Sequence, residues 1–394
     1  MPVRLASLAA LLFAPAAAAQ VCGSGLSTRL VPLPVYATLP NEGSTFGFMP
    51  VFLRVCDESK RTESIIAPSI TYNDVIQWTG SFRWFYFPTD EQTLTLVGTL
   101  STRINSGILA IWQDLPTANG RSTTEVTARF QRSVFYRFFG IGPDTDVEDE
   151  SSYTRVRALL EARRGINLGA FNLGLSAFIR RDLVQPLGVP GLPLSTEAFP
   201  GTPGMEGSTT AGQSIDARYD TRAHGEYSDR GVYAQVLAGV VEGISNSPAY
   251  VQGHVDVRAL WPELTRVGGA ARAFWSAVSS GNAPFYDQST LGGSFFMRGF
   301  TEDRFIDRAA WTVELEQRVR VLQTHIYGVV ADWRMDVFVG AGQVYGSGQG
   351  VLSNPKFTGG VGFRAFVHPN VVGRVDVATG GEGVKVYVEL GYPY

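Results

Sequence analysis

A strict alternation of apolar and polar side chains recurs through most of this chain. In the run 384–390, four aliphatic residues share one parity, and a lysine, a tyrosine and a glutamate occupy the other. The runs 255–261, 313–321 and 331–339 repeat the pattern, and their polar parity carries both acidic and basic residues. Because successive side chains of a β-strand point to opposite faces, each run predicts a strand with one apolar face and one charged face.

Two kinds of β protein alternate in this way, the soluble sandwich and the membrane barrel. Composition favours the barrel, because only 18% of the residues are charged against about 25% in soluble domains. No stretch of the chain reaches the roughly 20 consecutive apolar residues that a membrane helix requires. The net charge of −3 does not indicate a nucleic-acid partner. The sequence therefore predicts an all-β, antiparallel transmembrane β-barrel that contacts membrane lipid.

The beginning of the chain predicts an export signal. Arg4 supplies the positive charge, and residues 5–14 form an apolar segment too short to span a bilayer. Ala17 and Ala19 form a small-x-small cleavage site. A short buried helix is the alternative interpretation of these residues.

Turn residues divide the rest of the chain into sixteen predicted strands, and single-chain bacterial barrels have an even number. The predicted strands are 44–56, 62–73, 74–87, 91–104, 121–139, 152–164, 168–182, 209–222, 229–243, 248–261, 265–281, 306–321, 324–345, 355–368, 370–379 and 383–393. The predicted domains are a signal peptide at 1–19, an N-terminal periplasmic or lumen segment at 20–43, and the transmembrane β-barrel at 44–394. The long segments 140–151, 183–208 and 282–305 then lie on the outer side, and the turn near Asn73 lies in the periplasm. The segment 105–120 stays unassigned, as a longer strand or a short helix.

The segment 291–300, LGGSFFMRGF, resembles the sixth extracellular loop of the BamA/TamA outer-membrane assembly family of bacterial surface antigen barrels. In that family Gly-Gly is followed by Arg-Gly-Tyr or Arg-Gly-Phe. Other landmarks are similar and occur in the same order between residues 30 and 394. They are Pro34, Tyr36, Pro40 and Gly43 before the first predicted strand, the aromatic-glycine run 135–142, the Tyr-Asp-Thr-Arg run 219–222, and Arg374, Asp376 and Ala378 in the penultimate strand. The resemblance implies a barrel in the outer membrane of a Gram-negative-type bacterium, with an extracellular loop folded into its interior.

The resemblance also implies a lock that holds this loop. The loop residues that match the family motif are Arg298, Gly299 and Phe300. Glu314 matches the acid of the family's twelfth strand, and Glu316 on the same face is a second candidate. The family's thirteenth strand reads Phe-x-Asp-x-Gly, but the matching run 338–342 has no acid, so Asp336 is expected to take its place. A solvated loop arginine is the alternative for Arg298.

For function, the resemblance implies assistance in the insertion or translocation of proteins at the outer membrane. Family members that assemble or secrete proteins carry periplasmic POTRA domains, and the segment 20–43 is too short to hold one. We therefore expect a separate periplasmic partner that handles client proteins. A structural or plugged-pore barrel without assembly activity is the alternative.

An enzyme on a barrel scaffold is the third interpretation, and it requires a nucleophile with a base, or an acidic pair, on the outer rim. The four histidines are scattered, and the sequence contains neither a Gly-x-Ser-x-Gly elbow nor clustered metal ligands. We expect no catalytic activity, no cofactor and no metal.

Two terminal features carry separate predictions. The chain ends with Gly391, Tyr392 and Tyr394 around a proline, which resembles the sorting signal that the barrel assembly machinery reads during biogenesis. Cys22 and Cys56 are predicted to form a disulfide. Because Cys22 begins in the periplasm and Cys56 ends its predicted strand on the outer side, this bond requires residues 20–43 to run through the lumen as a plug. Unpaired thiols, or thiols paired with other chains, are the alternative.

Overall fold

The computed structural model describes residues 25–39, 41–57, 61–222, 228–264, 266–326, 329–367 and 371–390. Within these ranges the chain forms one closed antiparallel barrel with almost no helix. None of the described helices is long and apolar enough to cross a membrane.

In the described residues, eighteen strands form the barrel wall, numbered here β1 to β18 in chain order. They are β1 Leu26–Leu39, β2 Gly43–Cys56, β3 in two halves Thr62–Ile66 and Ser69–Asn73, β4 Gln77–Tyr86, β5 Gln92–Ser101, β6 Ser106–Asp114, β7 Ser122–Phe138, β8 Ser151–Leu168, β9 Phe171–Gln185, β10 Ser208–Asp220, β11 Gly231–Ser245, β12 Tyr250–Leu264, β13 Val267–Val278, β14 Ala309–Ile326, β15 Val329–Tyr345, β16 Lys356–Val367, β17 Val371–Thr379 and β18 Val384–Leu390. The break in β3 falls at Pro68, which has no amide hydrogen to donate.

The two ends of the barrel differ in the length of their connections. One end, called here the loop end, carries the segments 139–150, 186–207 and 279–308. The other, called here the turn end, carries short connections such as residues 169–170 between β8 and β9. The segment 279–308 contains a small hairpin of its own, Ser289–Leu291 paired with Phe305–Asp307.

The predicted number of sixteen strands is wrong by two, because β1 and β6 were not recognised as strands. Pro32 and Pro34 weaken the strand signal of β1, since proline is confined to edge positions in sheets. In β6 both parities are apolar, as Ile108 and Leu109 show, so the alternation disappears. The segment 26–39 therefore belongs to the barrel wall and not to a periplasmic or lumen segment.

The missing strand β1 also reversed the direction assigned to the next four strands. The turn near Asn73 lies at the loop end, because the Asn73 Nδ2 donates to the Glu42 carbonyl at 2.8 Å and neighbouring Ile76 packs with Phe135 and Val189. Cys56 lies at the turn end, in register with Leu26, the first residue of β1. The prediction that Cys56 lies at the outer end is therefore wrong.

Alternation of the two faces is confirmed along the strands where it was strongest. On β15 the side chains of Val337 and Val339 are 59% and 55% exposed on the outside of the wall. Asp332 and Asp336, of the other parity, are buried in the interior. The outer face is thus apolar and the inner face is charged.

Candidate functional site

The segment 279–308 enters the barrel interior from the loop end. Leu291, Met297, Phe300 and Phe305 are buried with Ala310 and Val344 of β14 and β15. The adjacent glycines at 292 and 293 have φ angles of +115° and +104°, which side chains other than glycine rarely adopt. These glycines let the chain turn back before it reaches Arg298.

Arg298 is completely buried, and its guanidinium is held from two sides. Nη2 donates to the Glu316 Oε2 at 2.9 Å, and Nη1 lies 3.5 Å from the Asp376 Oδ2. The guanidinium carbon also lies 3.5 Å from the centre of the Phe338 ring. A buried guanidinium needs carboxylate partners of this kind, so the loop is bound to β14, β15 and β17 at one point.

The two other predicted acids lie in the same region with different partners. The Glu314 Oε1 accepts the backbone N–H of Met297 at 2.7 Å, beside Arg298 in the chain. Asp336 pairs with the Arg364 Nε at 3.0 Å, and Arg364 in turn lies 3.7 Å from Glu316. Both carboxylates are therefore part of the network around Arg298.

Sequence reasoning did not connect Asp376 or Arg364 with the loop. Asp376 was noted only as part of a family landmark in the penultimate strand. The register β15–β16–β17 places Asp336, Gly362 and Asp376 side by side. Knowledge of this strand alignment is the signal that could have indicated Asp376 as a partner of the loop. Because Gly362 has no side chain, Arg364 can bind Asp376 in the space that a Cβ would fill.

Gly299 and Phe300 attach the loop to the last three strands. The N–H of Gly299 donates to the Thr358 Oγ1 at 2.7 Å, and a Cβ on Gly299 would collide with the backbone of Thr379. The Phe300 carbonyl accepts the Tyr387 hydroxyl at 2.8 Å. The Arg-Gly-Phe motif therefore contacts β16, the end of β17, and β18.

The junction of β1 with β18 closes the barrel and is called here the seam. Among the described residues a single register pair, Thr38 with Val388, joins the two strands. By contrast, all fourteen residues of β1 pair with β2. Of the strand junctions that the structure describes in the wall, the seam therefore has the fewest register pairs.

The loop contacts both sides of the seam. On one side, the Asn41 Nδ2 in the β1–β2 turn donates to the Glu302 carbonyl at 3.4 Å. On the other side, Arg304 pairs with Glu382 in the β17–β18 turn at 2.8 Å. The loop thus contacts both strands of the junction that has a single register pair among the described residues.

Glu42 lies next to this contact, in the turn between β1 and β2. Burial, together with the nearby charge of Glu389, raises the pKa of Glu42 to about 7. Arg137 acts in the opposite direction. The turn beside the seam therefore carries a carboxyl group that titrates near neutral pH.

Ion pairs also line the part of the interior wall that β8, β9 and β10 form. Asp216 of β10 binds Arg163 at 2.7 Å and Arg218 at 3.2 Å. Asp182 of β9 binds Arg155 at 2.8 Å. The described residues contain no group of three histidine, cysteine or acidic side chains arranged to hold a metal ion.

Several predicted residues lie outside the described ranges. They are the signal peptide at 1–19, Cys22, and the C-terminal residues Gly391, Tyr392 and Tyr394. Cys56 is disulfide-bonded, but because Cys22 is not described, the Cys22–Cys56 pairing stays a prediction. The sorting signal stays a prediction as well.

Comparison with known proteins gives a family and a fold. The family model described as "Omp85 superfamily domain" matches residues 64–377. The crystal structure of BamA from Haemophilus ducreyi lacking POTRA domains 1–3 is similar, with 12% identity, a TM-score of 0.57, and coverage of 92% of this chain and 75% of that one. CdiB from Acinetobacter baumannii is similar with 9% identity, a TM-score of 0.50, and coverage of 93% of this chain and 65% of that one. No curated protein sequence matches the chain.

Proposed function

The chain belongs to the Omp85 superfamily, and from this premise we propose that it assists the insertion or translocation of proteins at an outer membrane. A separate periplasmic partner delivers the client proteins to the turn end. The observation that carries the proposal is the loop 279–308, which is bound inside the barrel by Arg298 and contacts both sides of the seam.

The seam supplies the place where a client strand can pair. An incompletely paired strand presents N–H and C=O groups that another strand can bind. Among the described residues a single register pair, Thr38 with Val388, joins β1 to β18. Opening the seam therefore breaks few backbone hydrogen bonds.

The loop supplies the control of this opening. Arg304 and Tyr387 hold the loop to the β17–β18 hairpin, and Asn41 holds it to the β1–β2 turn. Movement of the loop removes contacts from both sides of the seam at once. The assembly mechanism then consists of loop release, seam opening and pairing of the client strand with β1.

A disulfide across the seam tests this proposal. In cells that depend on the protein, the double variant Thr38→Cys/Val388→Cys is expected to lower the levels of other outer-membrane proteins, and a reductant is expected to restore them. The matched control is Val361→Cys/Val377→Cys, which joins β16 to β17 at an outward-facing register pair. Unchanged levels with the seam closed would refute the assembly function.

The plugged-pore barrel is the second candidate, and the interior filling favours it. The loop core and the ion pairs of Arg298, Arg163 and Arg155 occupy the interior from opposite walls. In this case deletion of residues 282–305 produces single-channel conductance in planar bilayers. Closing the seam with the disulfide then leaves the levels of other outer-membrane proteins unchanged. A barrel that does not conduct after the deletion contradicts this alternative.

A further inference from the structure

Two grooves run side by side on the outer face of the wall, between β3 and β10. The first has a volume of about 610 Å³, with its floor at Gly80 and Gly98. The second has a volume of about 560 Å³, with its floor at Ala110, Ala128 and Ala158. Ile108 and Phe130 border both grooves and form the ridge between them.

The strand register shows that these grooves face outward. Ile108 pairs with Phe130 across β6 and β7, and Ala110 pairs with Ala128 on the same face. Ile108 is 64% exposed and Leu100 is 69% exposed. A Cβ on Gly80 or Gly98 would meet no atom within 4 Å, so the first groove is open to its surroundings. In a barrel that spans a membrane, the occupant of such an apolar groove is a membrane component.

An arginine lies at the loop-end rim of each groove. Arg132 is in register with Ser106, which lines the first groove. Arg181 lines the second groove and is in register with Ala158. Both arginines therefore share the outward parity of the apolar belt.

These two charges have no acidic partner among the described residues. The Arg132 Nε donates to the neutral Gln185 side chain at 3.0 Å, and Arg181 is exposed. A lipid-facing arginine is unfavourable at a depth-dependent cost, and an anion with several oxygens is the partner that guanidinium groups bind best. A pair of arginines above two apolar grooves is therefore suited to bind a phosphate group that carries acyl chains.

We propose that this face binds one two-chained anionic phospholipid or phosphoglycolipid of the loop-end leaflet. Its two acyl chains occupy the grooves on either side of the ridge, and its phosphate lies between Arg132 and Arg181. The inference rests on the proposed membrane location but not on the assembly activity.

Native mass spectrometry of the full chain in detergent tests the proposal, with dioleoyl phosphatidylglycerol as the probe. Dioleoylglycerol, which has the same chains and no phosphate, and inorganic phosphate, which has no chains, are the comparison ligands. We expect the phospholipid to bind at least about tenfold more tightly than dioleoylglycerol, as charge-assisted hydrogen bonds provide. Binding of inorganic phosphate as tight as that of the phospholipid would overturn the role of the grooves.

Variants separate the two parts of the site. The double variant Arg132→Gln/Arg181→Gln is expected to remove the preference for the phospholipid over dioleoylglycerol. Ala128→Leu, which fills the second groove, is expected to weaken the binding of both of these lipids. The matched control is Arg164→Gln, an outward-facing arginine at the turn end whose guanidinium bonds Thr124 at 2.5 Å and Ser122 at 2.6 Å. This control is expected to bind like the wild type.

Two results would overturn the proposal. One is an unchanged preference in the double arginine variant, and the other is an equal loss in the Arg164→Gln control. Folding of every variant is checked by its heat-dependent gel mobility, and Ala128→Leu tests the site independently of the arginines. Because binding is measured on the purified protein, a negative result here leaves the seam experiment unaffected, and a negative seam experiment leaves this one unaffected.

Discussion

Replacing Arg298 with alanine removes the charge that binds the loop inside the barrel. The guanidinium is completely buried between Glu316 at 2.9 Å and Asp376 at 3.5 Å. Removing one partner of a buried ion pair costs about 3–5 kcal/mol. Here each acid keeps another partner, since Arg318 lies 2.8 Å from Glu316 and Arg364 also binds Asp376. We therefore expect a loss near the low end, about 3 kcal/mol.

Urea unfolding in detergent micelles, followed by tryptophan fluorescence and gel mobility, measures this loss. With an m-value of about 3 kcal/mol/M, the midpoint falls by about 1 M. Limited proteolysis is expected to cleave the loop faster in Arg298→Ala than in the wild type. Arg298→Lys keeps the charge without the forked geometry, and its midpoint is expected to lie between the two.

A control at the base of the same loop shows whether the effect belongs to the buried site. Arg308 donates to the Ser279 carbonyl at 3.0 Å in an exposed contact, so Arg308→Ala is expected to leave the midpoint within about 0.5 kcal/mol of the wild type. If Arg298→Ala unfolds at the wild-type urea concentration and its loop resists protease equally, the reasoning about the buried pair is wrong.

Three further predictions concern the loop, the seam and the cysteines. Gly299→Ala places a methyl group against the Thr379 backbone and is expected to destabilise the barrel by about 1–3 kcal/mol in the same urea assay, whereas Gly281→Ala, which meets only ordinary contacts, changes little. Because the pKa of Glu42 is raised to about 7, the folded state binds the proton of this carboxyl group more tightly than the unfolded chain does. The contribution of Glu42 to stability is therefore present at low pH and is lost as pH rises through about 7. Glu42→Gln is expected to remove this part of the pH dependence of stability, and a pH profile identical to that of the wild type would contradict the assignment. Peptide mapping without reductant is expected to find Cys22 linked to Cys56, and free thiols would rule the pairing out.

The sequence alone was sufficient for the fold class and for most strands of the second half of the barrel. A membrane wall with a charged interior requires alternation, so β12, β14, β15 and β18 are visible in the order of their residues. The Arg-Gly-Phe run was visible in the sequence, with Glu314 as the expected acid and Glu316 as a second candidate, whereas in the structure Arg298 pairs with Glu316. Each of these signals is local, because it depends on neighbouring positions of one strand or one loop.

The number of strands was decided by the tertiary structure. In β1 the prolines, and in β6 the apolar residues of both parities, hide the alternation, and these segments become strands through pairing with their neighbours. Once β1 is present, the direction of β2 to β5 and the position of Cys56 change with it. Strand pairing depends on residues far away in the chain, which no local pattern contains.

The composition of the site was decided by register. Asp376 reaches Arg298 across 78 residues of chain because β14 to β17 lie side by side in the wall. Gly362, between Asp336 and Asp376 in this register, leaves room for the side chain of Arg364 to bind Asp376. The contact of the loop with both sides of the seam likewise arises only when the barrel closes. The order of residues therefore determined which faces are apolar and which are charged, and closure of the barrel determined which charges meet.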